Sequence, residues 1–173
     1  MTDRDAAPPG VRIESGDADD ADAVADYWVE LAESQRDHGS RLLADRNRNA
    51  AREAAIRHAV AGGLFVARRT DAGDAEDVIT DAEILGFVTA SFATGDFAET
   101  ADRGVVQNIY VHPAARGRGI GTALLAAAEA YLREQGAAVV SLEVLADNES
   151  ARRFYRRHGY ENHRVELQKD LDD

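Results

Sequence analysis

Residues 105–125 hold the side chains and spacings best suited to chemistry: Val-Val-Gln-Asn-Ile-Tyr-Val-His-Pro-Ala-Ala-Arg-Gly-Arg-Gly-Ile-Gly-Thr-Ala-Leu-Leu. An apolar, β-branched run leads through a proline-marked turn into three glycines at alternate positions, and then into an alanine- and leucine-rich helical pattern. The first turn of a helix carries N–H groups with no intrahelical partner, set at the positive end of the helix dipole. Such an end holds phosphate. Gly117, Gly119 and Gly121 lack a Cβ, so a bulky anion can come close to the backbone. The expectation is a pyrophosphate cradle in this loop.

Spacing decides which phosphate ligand. A dinucleotide fingerprint needs Gly-x-Gly-x-x-Gly, and a P-loop needs four residues between its glycines and a following Lys-Ser/Thr. Gly117-Arg118-Gly119-Ile120-Gly121 fits neither, which argues against a nucleotide-phosphate binder. It fits Arg-x-x-Gly-x-Gly, met by Arg116, Gly119 and Gly121. A second segment lies further on. Residues 139–145 read as a buried strand, and Asp147 or Asn148 suits the N-cap of a short helix that Gly159 would stop. Ala151, Phe154, Tyr155 and His158 share one face of that helix at i, i+3, i+4, i+7.

Together the two segments resemble the acyl-coenzyme A loop and the second conserved segment of the GNAT superfamily of N-acetyltransferases. The resemblance covers roughly the C-terminal third of the chain and is specific to the superfamily rather than to a member. It implies acetyl-CoA as acyl donor and a primary amine as acceptor, which attacks the acyl carbon directly. Arg116, Gly117, Arg118, Gly119, Ile120, Gly121 and Thr122 would hold the pyrophosphate. The backbone of Ile109, Tyr110 and Val111 would pair with the pantetheine arm, with the Ile109 N–H as an oxyanion donor. Asn148 would anchor the pantetheine or adenine side. Tyr155 would protonate the departing thiolate, although on its residues alone it reads as a core aromatic beside Phe154. Many members carry an acid just before the Ile-Tyr-Val stretch, and here that position is Asn108, which accepts no proton at neutral pH. A water chain, Glu143 or His38 is then the expected base. The same asparagine supports an alternative, a non-catalytic acyl-CoA-binding module or sensor. His112, before Pro113, reads as a turn residue.

Composition bounds the rest. The 173 residues suit a disordered lead-in over 1–10 and a single acetyltransferase domain over 11–173. There is no cysteine, which excludes disulfides, thiolate metal sites and a cysteine nucleophile, and no metal is expected. No apolar stretch reaches membrane-spanning length and the N-terminus is acidic, so a cytoplasmic protein without a membrane partner is expected. The net charge is −12, with one lysine against nineteen arginines. This aspartate-rich, lysine-poor composition is that of an acidic, halophilic-type protein whose folding should need salt to screen self-repulsion. Residues 103–164 nevertheless carry nine arginines against six acids, a balance of +3 that leaves −15 elsewhere. The phosphate loop thus lies in the non-acidic part, while nucleic acid would be repelled by the remainder.

The elements that must position these residues follow in order. Strands are expected at 11–15, 64–69, 83–93, 105–112 and 139–145, with a last one near 163–169. Helices are expected at 17–37, 48–61, 119–135 and 149–158, the second stopped by Gly62-Gly63. The strands at 64–69 and 83–93 read as a hairpin joined by the acidic loop 71–81. This is a mixed α/β fold, a GNAT-like central mixed sheet of about six strands flanked by about four helices. The acceptor groove would lie beside the loop at 38–47, with His38, Arg41, Asp45, Arg46 and Asn47. The short C-terminal segment would leave a sheet edge that a second copy, in a homodimer, could cover.

Overall fold

The computed structural model describes residues 6–70, 83–94 and 100–171, so the loop expected at 71–81 and the first five residues of the lead-in lie outside the described residues. The order is β1 (Val11–Ser15), α1 (Ala21–Arg36), α2 (Arg48–Ala61), β2 (Leu64–Arg69), β3 (Ile84–Phe92), β4 (Arg103–Val111), α3 (Ile120–Glu134), β5 (Val139–Leu142) and α4 (Glu149–Arg157). The strands form one sheet in the order β1-β2-β3-β4-β5. Neighbours are antiparallel except β4 and β5, which run parallel. The mixed α/β architecture is therefore as expected.

Period-two alternation sends side chains to two cores. On β2, Leu64 and Val66 pack with Ala21, Val24 and Ala55 of α1 and α2, while Phe65 and Ala67 join Leu124, Leu125 and Leu132 of α3. Phe87, Leu64, Leu85 and Leu124 are essentially inaccessible, each contributing about 1.5–3 kcal/mol of burial. The end of α2 follows its sequence signal. Gly62 takes φ +80°, and the N–H groups of Gly62 and Gly63 close on the carbonyls of Ala59 and His58.

Two expectations change. β5 stops at Leu142 rather than at residue 145, with Glu143 and Val144 exposed. Residues 163–169 form no strand, so the sheet has five strands among the described residues rather than about six. The apolar residues of that tail, Val165 and Leu167, are 80% and 90% exposed. An alternating pattern becomes a strand only when it finds a ladder to join, and the four-residue β5 offers a short one.

Candidate functional site

The loop from β4 to α3 is pinned at both ends and open between them. Pro113 begins a single 3-10 turn that His112 caps, its Nδ1 accepting the Ala114 N–H at 3.3 Å. His112 is thus the turn residue expected. Ala115 and Ile120 are buried at 0% and 1% exposure, whereas Arg116, Gly117, Arg118 and Gly119 between them are exposed. The chain reverses there because Gly117 and Gly119 adopt φ of +78° and +90°, a region that strains other residues. Gly119 caps α3 without a side chain, and the first helical bond runs from Ala123 N to Gly119 O. The N–H groups of Ile120, Gly121 and Thr122 precede that bond and have no intrahelical acceptor. The Ile120 side chain itself belongs to the core. A Cβ at Gly121 would meet nothing nearer than the Phe154 ring at 3.6 Å. The protein itself would tolerate a methyl there; its absence leaves the mouth of the cradle clear.

Beside this loop the sheet opens. β4 and β5 pair from Arg103↔Val139 to Val106↔Leu142 and no further. Thr89 faces Asn108 while Ala90 faces Val106, so Gln107 is an extra residue that bulges β4 at the point where pairing ends. The His112 N–H points to Leu85 O of β3 at 2.9 Å. Backbone groups alternate along a strand, so those of Ile109 and Val111 face the other way, into the gap. Arg116 uses that arrangement: its Nε donates to Val111 O at 2.9 Å, and its guanidinium lies 5.9 Å from the centre of the Tyr110 ring. A carbonyl has two lone pairs, so Val111 O keeps one for a ligand.

Helix α4 packs beside the first turn of α3. Of the two cap candidates it is Asn148 that serves, Oδ1 accepting the Ala151 N–H at 3.0 Å. Phe154 and Tyr155 pack into the α3-side core, while Arg153, Arg156 and Arg157 are exposed. His158 Nε2 meets Thr122 Oγ1 at 3.1 Å, tying α4 to the first turn of α3. The Tyr155 ring lies edge-on to Phe154 and Tyr160, and burial pushes its phenol up to about 12. It stays protonated at neutral pH and can donate.

The opposite face of β4 looks towards α1 and α2. Tyr110 is 4% exposed, and its hydroxyl donates to the Glu30 carboxylate; burial and that bond hold the phenol above its ordinary range. Its side chain therefore belongs to this core, and only its backbone belongs to the strand edge. The Asn108 amide Nδ2 donates to Thr89 Oγ1 at 3.1 Å. Both residues line a cavity of about 30 Å³ with Trp28, Phe87 and His58. His58 was not singled out from sequence, although Ala51, Ala55 and His58 stand at i, i+4, i+7 of α2. That spacing puts it on the helix's buried face.

The two side chains expected to offer a base are elsewhere. Glu143 is not on β5 but one residue beyond its end, exposed, and in no ion pair among the described residues. His38 belongs to the turn that ends α1, its N–H closing on Gln35 O at 3.0 Å and Gly39 following at φ +91°. In the same loop, Arg41 pairs with Asp170 of the C-terminal segment. Among the described residues no group of three or more His, Asp or Glu is placed to hold a metal.

The Acetyltransferase (GNAT) family model matches residues 24–160, most of the chain, and the chain belongs to that family. An uncharacterized N-acetyltransferase of Methanocaldococcus jannaschii is 37% identical over 81 residues, 47% of this chain and 36% of that protein. Matches of this kind span between 21% and 40% of the curated relatives' own length. The fold aligns with a GCN5-related N-acetyltransferase from Ralstonia eutropha at a TM-score of 0.69 and 23% identity, covering 94% of this chain and 99% of the other. It also aligns with an aminoglycoside N-acetyltransferase in complex with CoA at a TM-score of 0.62 and 17% identity, covering 94% and 95%.

Proposed function

We propose that this chain, with residues 11–173 as one domain, transfers an acetyl group from acetyl-CoA to a primary amine, in a small molecule, an amino-acid derivative or a peptide N-terminus. The observation that carries this reading is the conjunction of loop and gap. An exposed loop with two left-handed glycines ends on uncapped helical N–H groups, and it follows directly on the stretch of β4, residues 107–111, that has no β5 partner. A polyanion with a long amide-bearing arm needs both.

In this reading the N–H groups at the start of α3, with Arg118 and Arg116, hold the pyrophosphate. The Ile109 and Val111 backbone receives the pantetheine arm, and Ile109 N–H faces the thioester oxygen as charge develops on it. Asn148 fixes α4, with its Oδ1 committed to Ala151 N. Tyr155, protonated at neutral pH as any phenol is and kept so to higher pH by burial, gives its proton to the leaving thiolate. Holding both reactants side by side supplies much of the rate. The CoA complex of the aminoglycoside N-acetyltransferase and the N-acetyltransferase relative support donor and reaction class alike.

Asn108 supports a second reading, an acyl-CoA sensor without turnover, because the amide has no proton-accepting role at neutral pH. Free-thiol release from acetyl-CoA in molar salt, against a panel of amines and short peptides, separates the two. Calorimetric titration of CoA runs beside it. Acceptor-dependent thiol release is the expected result. CoA binding without turnover on any acceptor favours the sensor, and a folded chain that binds no CoA ends both readings.

A further inference from the structure

We propose that His58 takes up the proton given off by the acceptor amine, through a water molecule held between its ring, Thr89 and Asn108. The proposal rests on the acetyltransferase reading above and supplies the step that Asn108 leaves open. An ammonium has no lone pair, so a proton must leave it before nitrogen can attack.

The cavity under β4 has the required parts. Its volume of about 30 Å³ exceeds the ~10–15 Å³ that one water needs. A water also needs two to four polar partners, and the lining provides three side chains that can serve. Asn108 gives one Nδ2 hydrogen to Thr89 Oγ1 and keeps Oδ1 as an acceptor. His58 Nδ1 lies 3.2 Å from Ala90 O. A carbonyl oxygen can only accept, so Nδ1 carries the hydrogen and Nε2 carries the lone pair. The Ala90 bond thus fixes the tautomer a proton acceptor requires.

The electrostatic setting keeps the ring neutral until it is used. Burial lowers its pKa below the ordinary 6.5, more than the Ala90 bond raises it, and the Arg57 guanidinium on the same helix lowers it further. The side chains facing it across the cavity are Val24 and Trp28 of α1, Ala51, Ala54 and Ala55 of α2, Phe87 and Thr89 of β3, and Asn108 of β4. None of these titrates or carries charge.

The proton balance closes. One hydrogen of the acceptor ammonium passes to the water, and a hydrogen of the water passes to His58 Nε2. The freed nitrogen pair forms the N–C bond, the C–S bond breaks with its electrons on sulfur, and sulfur takes the Tyr155 proton. The nitrogen of the adduct still holds one hydrogen too many for an amide, and it passes that proton to solvent as the C–S bond breaks. His58 then returns its proton to solvent and Tyr155 takes one back, so each turnover releases one proton overall. Base and acid stand on opposite faces of β4, His58 with α2 and Tyr155 in the α3-side core.

The experiment is the pH profile of kcat/KM for wild type and His58→Asn, with CoA affinity and thermal midpoint measured on both. Asparagine places its Nδ2 where the histidine has Nδ1, so it keeps the bond to Ala90 O but has no basic nitrogen. The wild-type profile should rise along an acid limb with a midpoint below 6.5. The variant should bind CoA and melt like wild type, lose about a hundredfold in kcat/KM, and lose the limb. A variant with wild-type kcat/KM and an intact limb overturns the proposal while leaving the acetyltransferase reading in place. Wild type that binds CoA but acetylates no amine overturns both. If His58→Asn fails to fold, NMR titration of the His58 ring in wild type decides the matter. Its midpoint should coincide with the kinetic limb, and a mismatch overturns the assignment.

Discussion

The two faces of β4 would serve the proposed reaction by different means. On the α3 and α4 face, the groups offered to a ligand are mostly backbone: helix N–H groups at Ile120 to Thr122, and strand groups at Ile109 and Val111. On the α1 and α2 face they are side chains, Asn108, Thr89 and His58, drawn from three elements around a small cavity. A backbone site is specified by where glycine and proline fall in one continuous stretch. A side-chain site is specified by packing between segments that are distant in the chain. The first can vary its neighbours and keep its ligand, whereas the second can be retuned by one substitution.

Tyr155→Phe tests the donor face most sharply. Removing the hydroxyl should lower kcat by about a hundredfold and leave CoA affinity unchanged, because the ring and its contacts with Phe154 and Tyr160 remain. With the wild-type phenol held at about 12, ionisation of Tyr155 should cause no loss of kcat up to pH 10. A profile that falls with a midpoint near 9 would assign the acid elsewhere. Unchanged kcat in the variant would reduce Tyr155 to a packing residue.

The loop comes next. Gly119 sits at φ +90° with open space where a Cβ would go, so a side chain there meets strain but no clash. Gly119→Val should meet about 1–3 kcal/mol of local strain, which the free loop sheds by changing shape and so misdirects its N–H groups. CoA must restore the strained form on binding and should titrate about tenfold to hundredfold weaker, with kcat at saturation little altered. Equal affinity in the variant would mean that the loop does not hold the pyrophosphate.

This contrast also explains what could be read from the chain. The β4–loop–α3 unit was legible because its instructions are local: β-branched residues, Pro113, three glycines and an alanine-rich helix in sequence. Asn148 was legible as a cap for the same reason. The Arg116 bond to Val111 O was not, since it depends on how sharply the loop turns. His58 was hidden further, because its partner Ala90 is thirty-two residues away and its cavity exists only once α1, α2 and β3 meet. The final strand was over-read: the alternation around Val165 and Leu167 is real, but no ladder takes it up.

Asn148 carries a smaller, separable effect. Asn148→Ala removes the Oδ1 cap on Ala151 N and should lower stability by about 1 kcal/mol. If Asn148 acts only by fixing α4, CoA affinity should fall no more than about fivefold, and Asn148→Asp, which keeps a capping oxygen, should restore it. A loss of affinity that persists in the aspartate variant would place the amide nitrogen on the ligand and enlarge the donor face by one side chain.

Glu143 gives the least expected change and the strongest leverage on the comparison. It follows the last residue of β5 and is exposed, so solvent rather than protein surrounds its carboxylate. Surface substitutions of this kind stay within about ±0.5 kcal/mol, so Glu143→Gln should alter kcat/KM by no more than about twofold at any pH. The acid limb assigned to His58 should persist unchanged. If instead the limb vanishes with Glu143, the proton leaves through the gap between β4 and β5. Acid and base would then share the donor face, the cavity beneath Asn108 would be packing alone, and β4 would separate two cores rather than two halves of a reaction.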